Sequence, residues 1–302
     1  MPIKASTQQK QKQKQKTVNL KHALLSVLAK MLITILRILP AKMRKSSIKQ
    51  LGRFILHCAK KTRSRAINNI QRALPDLCFN EIKQIAFDAY ANCAFGVAES
   101  LWLDQLDPEI YCDEATLEIL QSGEGACIAT MHLGCYEAVP LAINKFSGQS
   151  VTLTNVPDFL EQGLQFYAKA KITAINKNDN NAFAQLLKHT TSNAYISLHC
   201  DLYANQTPVN FFKQTTKAPS GVVMLAKLSK KPLLLAYSVY QADGSISVFF
   251  ETVVSSNNSE IQLNQDKSVE EIMDIIYQRF EQIIQQYPSQ WYWSYNRWRI
   301  RS

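Results

Sequence analysis

Between residues 22 and 40 the chain reads HALLSVLAKMLITILRILP, and its polar positions, His22, Ser26, Lys30, Thr34 and Arg37, recur at steps of four, four, four and three. On a helix these positions form one stripe, and the leucines, isoleucines and Met31 cover most of the remaining circumference. The pattern predicts an amphipathic helix with a wide apolar face, ended by Pro40. The stretch is slightly short for a membrane span and carries Lys30 and Arg37. Basic residues flank it on both sides, Lys10 to Lys21 before and Lys42, Arg44, Lys45, Lys49 and Arg53 after. That symmetry gives a spanning helix no orientation. It suits a helix lying in an anionic membrane surface; the plainer alternative is a helix packed on the folded body.

Residues 46–104 keep a helical period throughout, broken at Leu74-Pro-Asp-Leu77. From about residue 125 the texture changes. Short apolar runs, ACIATM, SVTLTNV, KITAI, AYISLHC, PLLLAYSVY and SISVFFE, alternate with helical stretches at 135–144, 158–170, 181–189 and 219–230. Such alternation predicts an α/β fold with a mixed, largely parallel central sheet flanked by helices. The Asp-Gly of YQADGS at 240–245 predicts an antiparallel hairpin, and a last helix is expected over 268–286. No internal repeat or Pro/Gly/Ser linker divides the chain. The expected organisation is a disordered basic tail over 1–20, a membrane-anchoring helix over 21–40 and a single domain over 41–302.

Charge and cysteine content narrow the functional classes. A formal net charge of +10 points to an anionic partner. The lysines cluster beside a greasy helix and no nucleic-acid motif accompanies them, so nucleic acid is not the expected partner. Seven cysteines without a C-x-x-C pair argue for free thiols in a reducing compartment. No small-residue cleavage site follows the apolar stretch, so no signal peptide is expected.

The candidate chemistry sits in TMHLGCYEA, residues 130–138. The strand ACIATM should end near Met131, which puts His132 in the crevice beyond the strand carboxyl ends, where open α/β sheets bind ligands. His132 and Glu137 are five positions apart. On one continuous helix they would diverge. If Gly134 allows a tight bend before the helix starts, Glu137 swings back towards the imidazole and orients a general base. Local spacing leaves both arrangements open. No G-x-S-x-G marks a serine nucleophile, and no GxxxxGK[ST] or GxGxxG is present. Cys135 reads as a packing residue rather than a nucleophile, and a zinc site from His132, Cys135 and Glu137 lacks a second cluster of ligands. His57, His189 and His199 read as ordinary helix, strand-end or surface residues.

Several blocks, in order, resemble the lipid A late-acyltransferase family. SGEGACIATMHLGCYE is similar to its Gly-rich lead, strand and H-x4-D/E motif, and RSRAINNIQRALPDL to its R-x-x-x-N…P stretch. Glu99 falls on a frequently acidic position. The segment from Cys200 through Phe211, Phe212 and Gly221 resembles another block, and YPSQWYWSYNRWR the terminal one. The resemblance implies an enzyme on the cytoplasmic face of the inner membrane. It would move a fatty acyl group from an acyl carrier protein thioester, or from acyl-CoA, to a hydroxyl of an anionic lipid A precursor. Transfer would be direct, without a covalent intermediate, cofactor or metal. His132 would be the base, Glu137 its orienting acid, Asp201 and Lys169 substrate-binding residues, and backbone amides after His132 the oxyanion hole. Phe211 and Phe212 are candidates for an acyl tunnel or a strand core; Trp291, Trp293 and Trp298 for packing or a membrane interface. The sequence departs from the family pattern at Cys135-Tyr136 (Asn-Trp in the family), at Lys213 (glycine) and around Lys169 and Lys171 (arginine), which leaves another glycolipid or polar lipid as an alternative acceptor. A non-catalytic membrane-binding homologue is a further alternative.

Overall fold

The computed structural model describes residues 27, 31, 33–36, 38–146, 148–155, 163–254 and 266–299. The tail expected over 1–20 and much of the helix expected over 21–40 lie outside them. The described positions between Val27 and Ile38 are helical, and Leu36 is buried. Among the described residues no helix is long and apolar enough to cross a membrane.

Three helices follow: α1 (Ala41–Cys58), α2 (Lys60–Ala73) and α3 (Phe79–Glu99), the last running into a 3₁₀ turn over Ser100–Gln105. Pro75 accounts for the break after α2, and the Glu81 carboxylate accepts from the Cys78 amide at the start of α3, 2.8 Å. Gly52 lets α1 cross α3 closely, since a Cβ there would lie 3.1 Å from the Ala91 Cα.

The sheet holds seven strands: β1 (Glu109–Tyr111), β2 (Cys127–Thr130), β3 (Ser150–Thr154), β4 (Ile172–Asn176), β5 (Tyr195–His199), β8 (Leu233–Tyr240) and β9 (Ile246–Val254), in the order β1-β9-β8-β2-β5-β3-β4. Every pairing is parallel except the β8–β9 hairpin. Its turn uses the Asp-Gly as expected: the Asp243 carboxylate accepts from the Ser245 amide at 2.9 Å, and Gly244 takes φ +95°. Strand β2 is apolar without alternation because both faces are covered. Cys127 and Ala129 join one core with α2, α3, α8 (Gly221–Ser229) and α9 (Val269–Gln286), whereas Ile128 joins the other with α4 (Glu114–Gln121) and α5 (Ala138–Ile143). Helix α6 (Gly163–Lys169) precedes β4, and α7 (Ala182–Thr191) precedes β5. A capping box between Ser268 and Glu271 fixes the start of α9.

Three features depart from the sequence reading or decide between its alternatives. A separate hairpin, β6 (Thr207–Phe211) with β7 (Gln214–Ala218), turns at Phe212 and Lys213, both left-handed (φ +51° and +58°). Lys213 thus occupies a position that suits glycine, at a cost of about 1 kcal/mol. Phe211 and Phe212 are buried in the core beside Tyr277, Trp291 and Trp293; they pack and do not line the cavity that His132 borders. Trp291 and Trp293 are also fully buried. Asn69 on α2 holds this tail by donating to the Trp293 and Tyr295 carbonyls at 2.8 and 2.9 Å.

Candidate active site

The parallel register of β2 and β5 builds the site. Thr130 pairs with His199, so two residues further along, just past both strand ends, His132 and Asp201 face one another. The His132 Nδ1 lies 2.8 Å from Asp201 Oδ1. Oδ2 of the same carboxylate accepts from the His132 amide at 3.0 Å and from the Trp291 indole Nε1 at 2.9 Å. Burial opposes the Asp201 charge, but His132, His199 and the Trp291 donor outweigh it and hold its pKa at about 2. An ionised carboxylate only accepts. Nδ1 therefore carries the imidazole proton, and Nε2 is left as the basic nitrogen.

The turn after His132 is held from outside. Gly134 (φ +56°) donates its amide to the Gln290 carbonyl at 3.1 Å, and Leu133 bridges Trp291. The Leu133 amide bonds the Met131 carbonyl. These two amides are therefore engaged in holding the turn and not in an oxyanion hole. Gly96 of α3 lies against the same turn; a Cβ on it would come within 2.5 Å of the Gly134 carbonyl oxygen.

Glu137 does not take the place expected for it. Its Oε1 accepts from the Tyr167 hydroxyl at 2.7 Å, while His132 Nδ1 is engaged by Asp201. The bend at Gly134 does return Glu137 to the same cavity, and the charge of His132 is felt at its carboxyl. Burial nevertheless raises the Glu137 pKa, with the Tyr167 bond and His132 opposing. Asp201, expected to bind substrate, is completely buried and serves to hold His132. Lys169 sits exposed at the end of α6 and is not part of the cavity wall. Cys135 is sealed in the core, and burial pushes its thiol well above the usual range, which removes it as a nucleophile. Glu99 stands behind it, accepting from the Tyr240 hydroxyl.

Sequence reasoning missed His199. Its ring packs against His132 at a tilt of 37° with centroids 4.4 Å apart, and Tyr136 meets it edge-on at 5.1 Å and 89°. Its local signal, a histidine closing an apolar run two residues before an aspartate, becomes informative only once β5 is known to lie beside β2.

His132, Tyr136, Glu137, Tyr167 and His199 form the polar part of the wall of a cavity of about 760 Å³. Most of the remaining wall is apolar: Ile33, Leu36 and Leu39, then Ile48, Leu51 and Ile55 of α1, then Ala94, Val97 and Leu101. A basic imidazole at the foot of a greasy cleft suits proton abstraction from a hydroxyl whose partner carries a long apolar chain. Among the described residues no His/Cys/Asp/Glu cluster is arranged to hold a metal ion.

A family model described as bacterial lipid A biosynthesis acyltransferase matches residues 11–300. No curated protein matches the chain.

Proposed function

Because the chain belongs to the bacterial lipid A biosynthesis acyltransferase family, we propose that it is a membrane-bound O-acyltransferase whose general base is His132. The donor is an acyl carrier protein thioester or acyl-CoA, and the acceptor is a hydroxyl of an anionic lipid A precursor. The observation that carries this reading is the His132–Asp201 pair at the polar foot of the apolar cavity. The acceptor hydroxyl attacks the thioester carbonyl carbon and its proton passes to His132 Nε2. The C–S bond then breaks, and His132⁺ returns the proton to the leaving thiolate. Asp201 holds the imidazole and stabilises it when charged, and the nearby Glu137 adds to that field. Lipid extracts from a deletion strain carrying wild type or His132→Ala test the proposal by mass spectrometry. Only the wild type should restore one acyl mass on lipid A. An unchanged lipid A profile with a change in another polar lipid would move the acceptor to that lipid, and a His132→Ala variant that restores the acyl mass would refute the assignment of the base.

The same reading places the enzyme on the inner-membrane surface, facing the cytoplasm. Ile35, Ile38, Leu51, Phe54, Ile55 and Val97 are exposed near the cavity's apolar wall, beside the lysines and arginines of α1. This side is suited to lie in an anionic bilayer and take up lipid without exposing it to water. Burial of one large apolar side chain is worth about 1.5–3 kcal/mol. The double variant Ile38→Glu/Phe54→Glu should therefore bind anionic vesicles at least ~10-fold more weakly in a flotation assay. Equal flotation would exclude this face as the docking surface.

A further inference from the structure

Oxygen charge develops on the thioester carbonyl during transfer, and several donors near the base are committed elsewhere. The Leu133 and Gly134 amides are engaged. The Ser100 and Tyr167 hydroxyls of the cavity wall already donate to the Val97 carbonyl and to Glu137. No lysine or arginine is found among the described lining residues.

Two groups in the wall have unmet capacity, and only one of them is a possible donor. His199 Nε2 is closed off from solvent and has no hydrogen-bond partner among the described residues, as does Glu137 Oε2 in the same cavity. A buried polar atom without a partner is costly to leave so, and the persistence of this one beside the base calls for a ligand group to complete it. We propose that His199 is a second catalytic residue, donating from Nε2–H to the thioester carbonyl oxygen as it becomes negative. The inference rests on the acyl-transfer reading above. His199 transfers no proton: the acceptor O–C bond forms, the C–S bond breaks, and the hydroxyl proton travels through His132 to the thiolate as before. The tilted contact with His132 and the edge contact from Tyr136 hold the ring beside the base, and in the proposed complex both imidazoles address the reacting carbonyl group. Burial, reinforced by His132, lowers the His199 pKa to about 3. The ring is thus a neutral donor, and no buried positive charge opposes the formation of His132⁺ beside it.

Glutamine places its amide nitrogen near the Nε2 position of histidine, whereas asparagine places it near Nδ1. Purified full-length wild type, His199→Ala, His199→Asn and His199→Gln are assayed with acyl carrier protein thioester, and thermal melts identify any variant that does not fold. The expected result is a ~10²–10³-fold loss of kcat in the alanine and asparagine variants, KM for the donor within about threefold, and recovery of at least tenfold by glutamine. Wild-type kcat in His199→Ala would overturn the inference, as would a loss confined to KM or a glutamine variant no better than asparagine. If alanine and asparagine fail to fold, glutamine decides: kcat more than ~10²-fold below wild type with an unchanged melt overturns it. Absence of transfer by wild type would instead refute the acyl-transfer reading. Transfer by wild type but not by His132→Ala upholds that reading whatever His199 does.

Discussion

Asp201→Asn should lower kcat by up to ~10⁴-fold while leaving the fold intact, and Glu137→Gln should lower it far less. In the wild type, Oδ2 of Asp201 receives two donors, the His132 amide and the Trp291 indole, and Oδ1 faces His132 Nδ1. Asparagine has one acceptor end and one donor end. Two N–H groups on one side fix its oxygen there and turn its NH₂ towards His132. The imidazole then accepts at Nδ1 and carries its proton on Nε2, the tautomer that cannot take a proton from the acceptor hydroxyl. Neither backbone nor indole bond is lost, so melting should change little. Glu137→Gln keeps an acceptor for Tyr167 and leaves the His132 tautomer alone. Steady-state kinetics of the two variants decide which carboxylate orients the base. Losses of equal size, or a larger one at Glu137, would return that role to Glu137.

Gly96→Ala is the second large effect, and its sign runs against helix propensity. Inside a helix this change ordinarily stabilises by about 1 kcal/mol. Here the new Cβ would meet the Gly134 carbonyl oxygen at 2.5 Å, and backbone cannot give way as a flexible side chain does. The expected net cost is about 1–3 kcal/mol. The activity loss should be larger, because a turn displaced by roughly 1 Å misplaces His132 enough to lose ~10²-fold in rate. Gly134→Ala should act similarly from the other side: φ is +56°, and its Cβ would lie 2.6 Å from the Ser238 carbonyl oxygen. Melting curves and kcat on both variants test this. A Gly96→Ala protein that is more stable and fully active would show that the turn yields freely.

Much of the sheet was legible in the chain because its strands are short apolar runs with clear ends. ACIATM became Cys127–Thr130 and KITAI became Ile172–Asn176. The β6–β7 hairpin escaped because TPVNFFKQTTKA alternates weakly, carries Pro208, and turns at Phe-Lys where a glycine or asparagine would have announced it. The site was legible in half. His132 follows a strand and Gly134 bends the chain, as its local sequence suggested. The partner of His132 was not legible, because spacing left the choice open and the H-x4-E resemblance favoured Glu137, whereas strand adjacency favours Asp201. Nothing near residue 132 says that β2 lies beside β5 and not β3. Lys169 was carried over by similarity of charge alone, and its place on an exposed helix end is set by the packing of α6, which no motif reports.

The hold of Gln290 and Trp291 on the catalytic turn also fixes the order in which the enzyme comes alive during translation. Every strand of the sheet, and the greasy segment before Pro40, leave the ribosome before those two residues do. A nascent chain that has emerged only as far as Tyr287 lacks the carbonyl that bonds Gly134 and the indole that bonds Asp201. The segment before Pro40 therefore emerges early, while His132 is set in place as a base only among the final steps of folding.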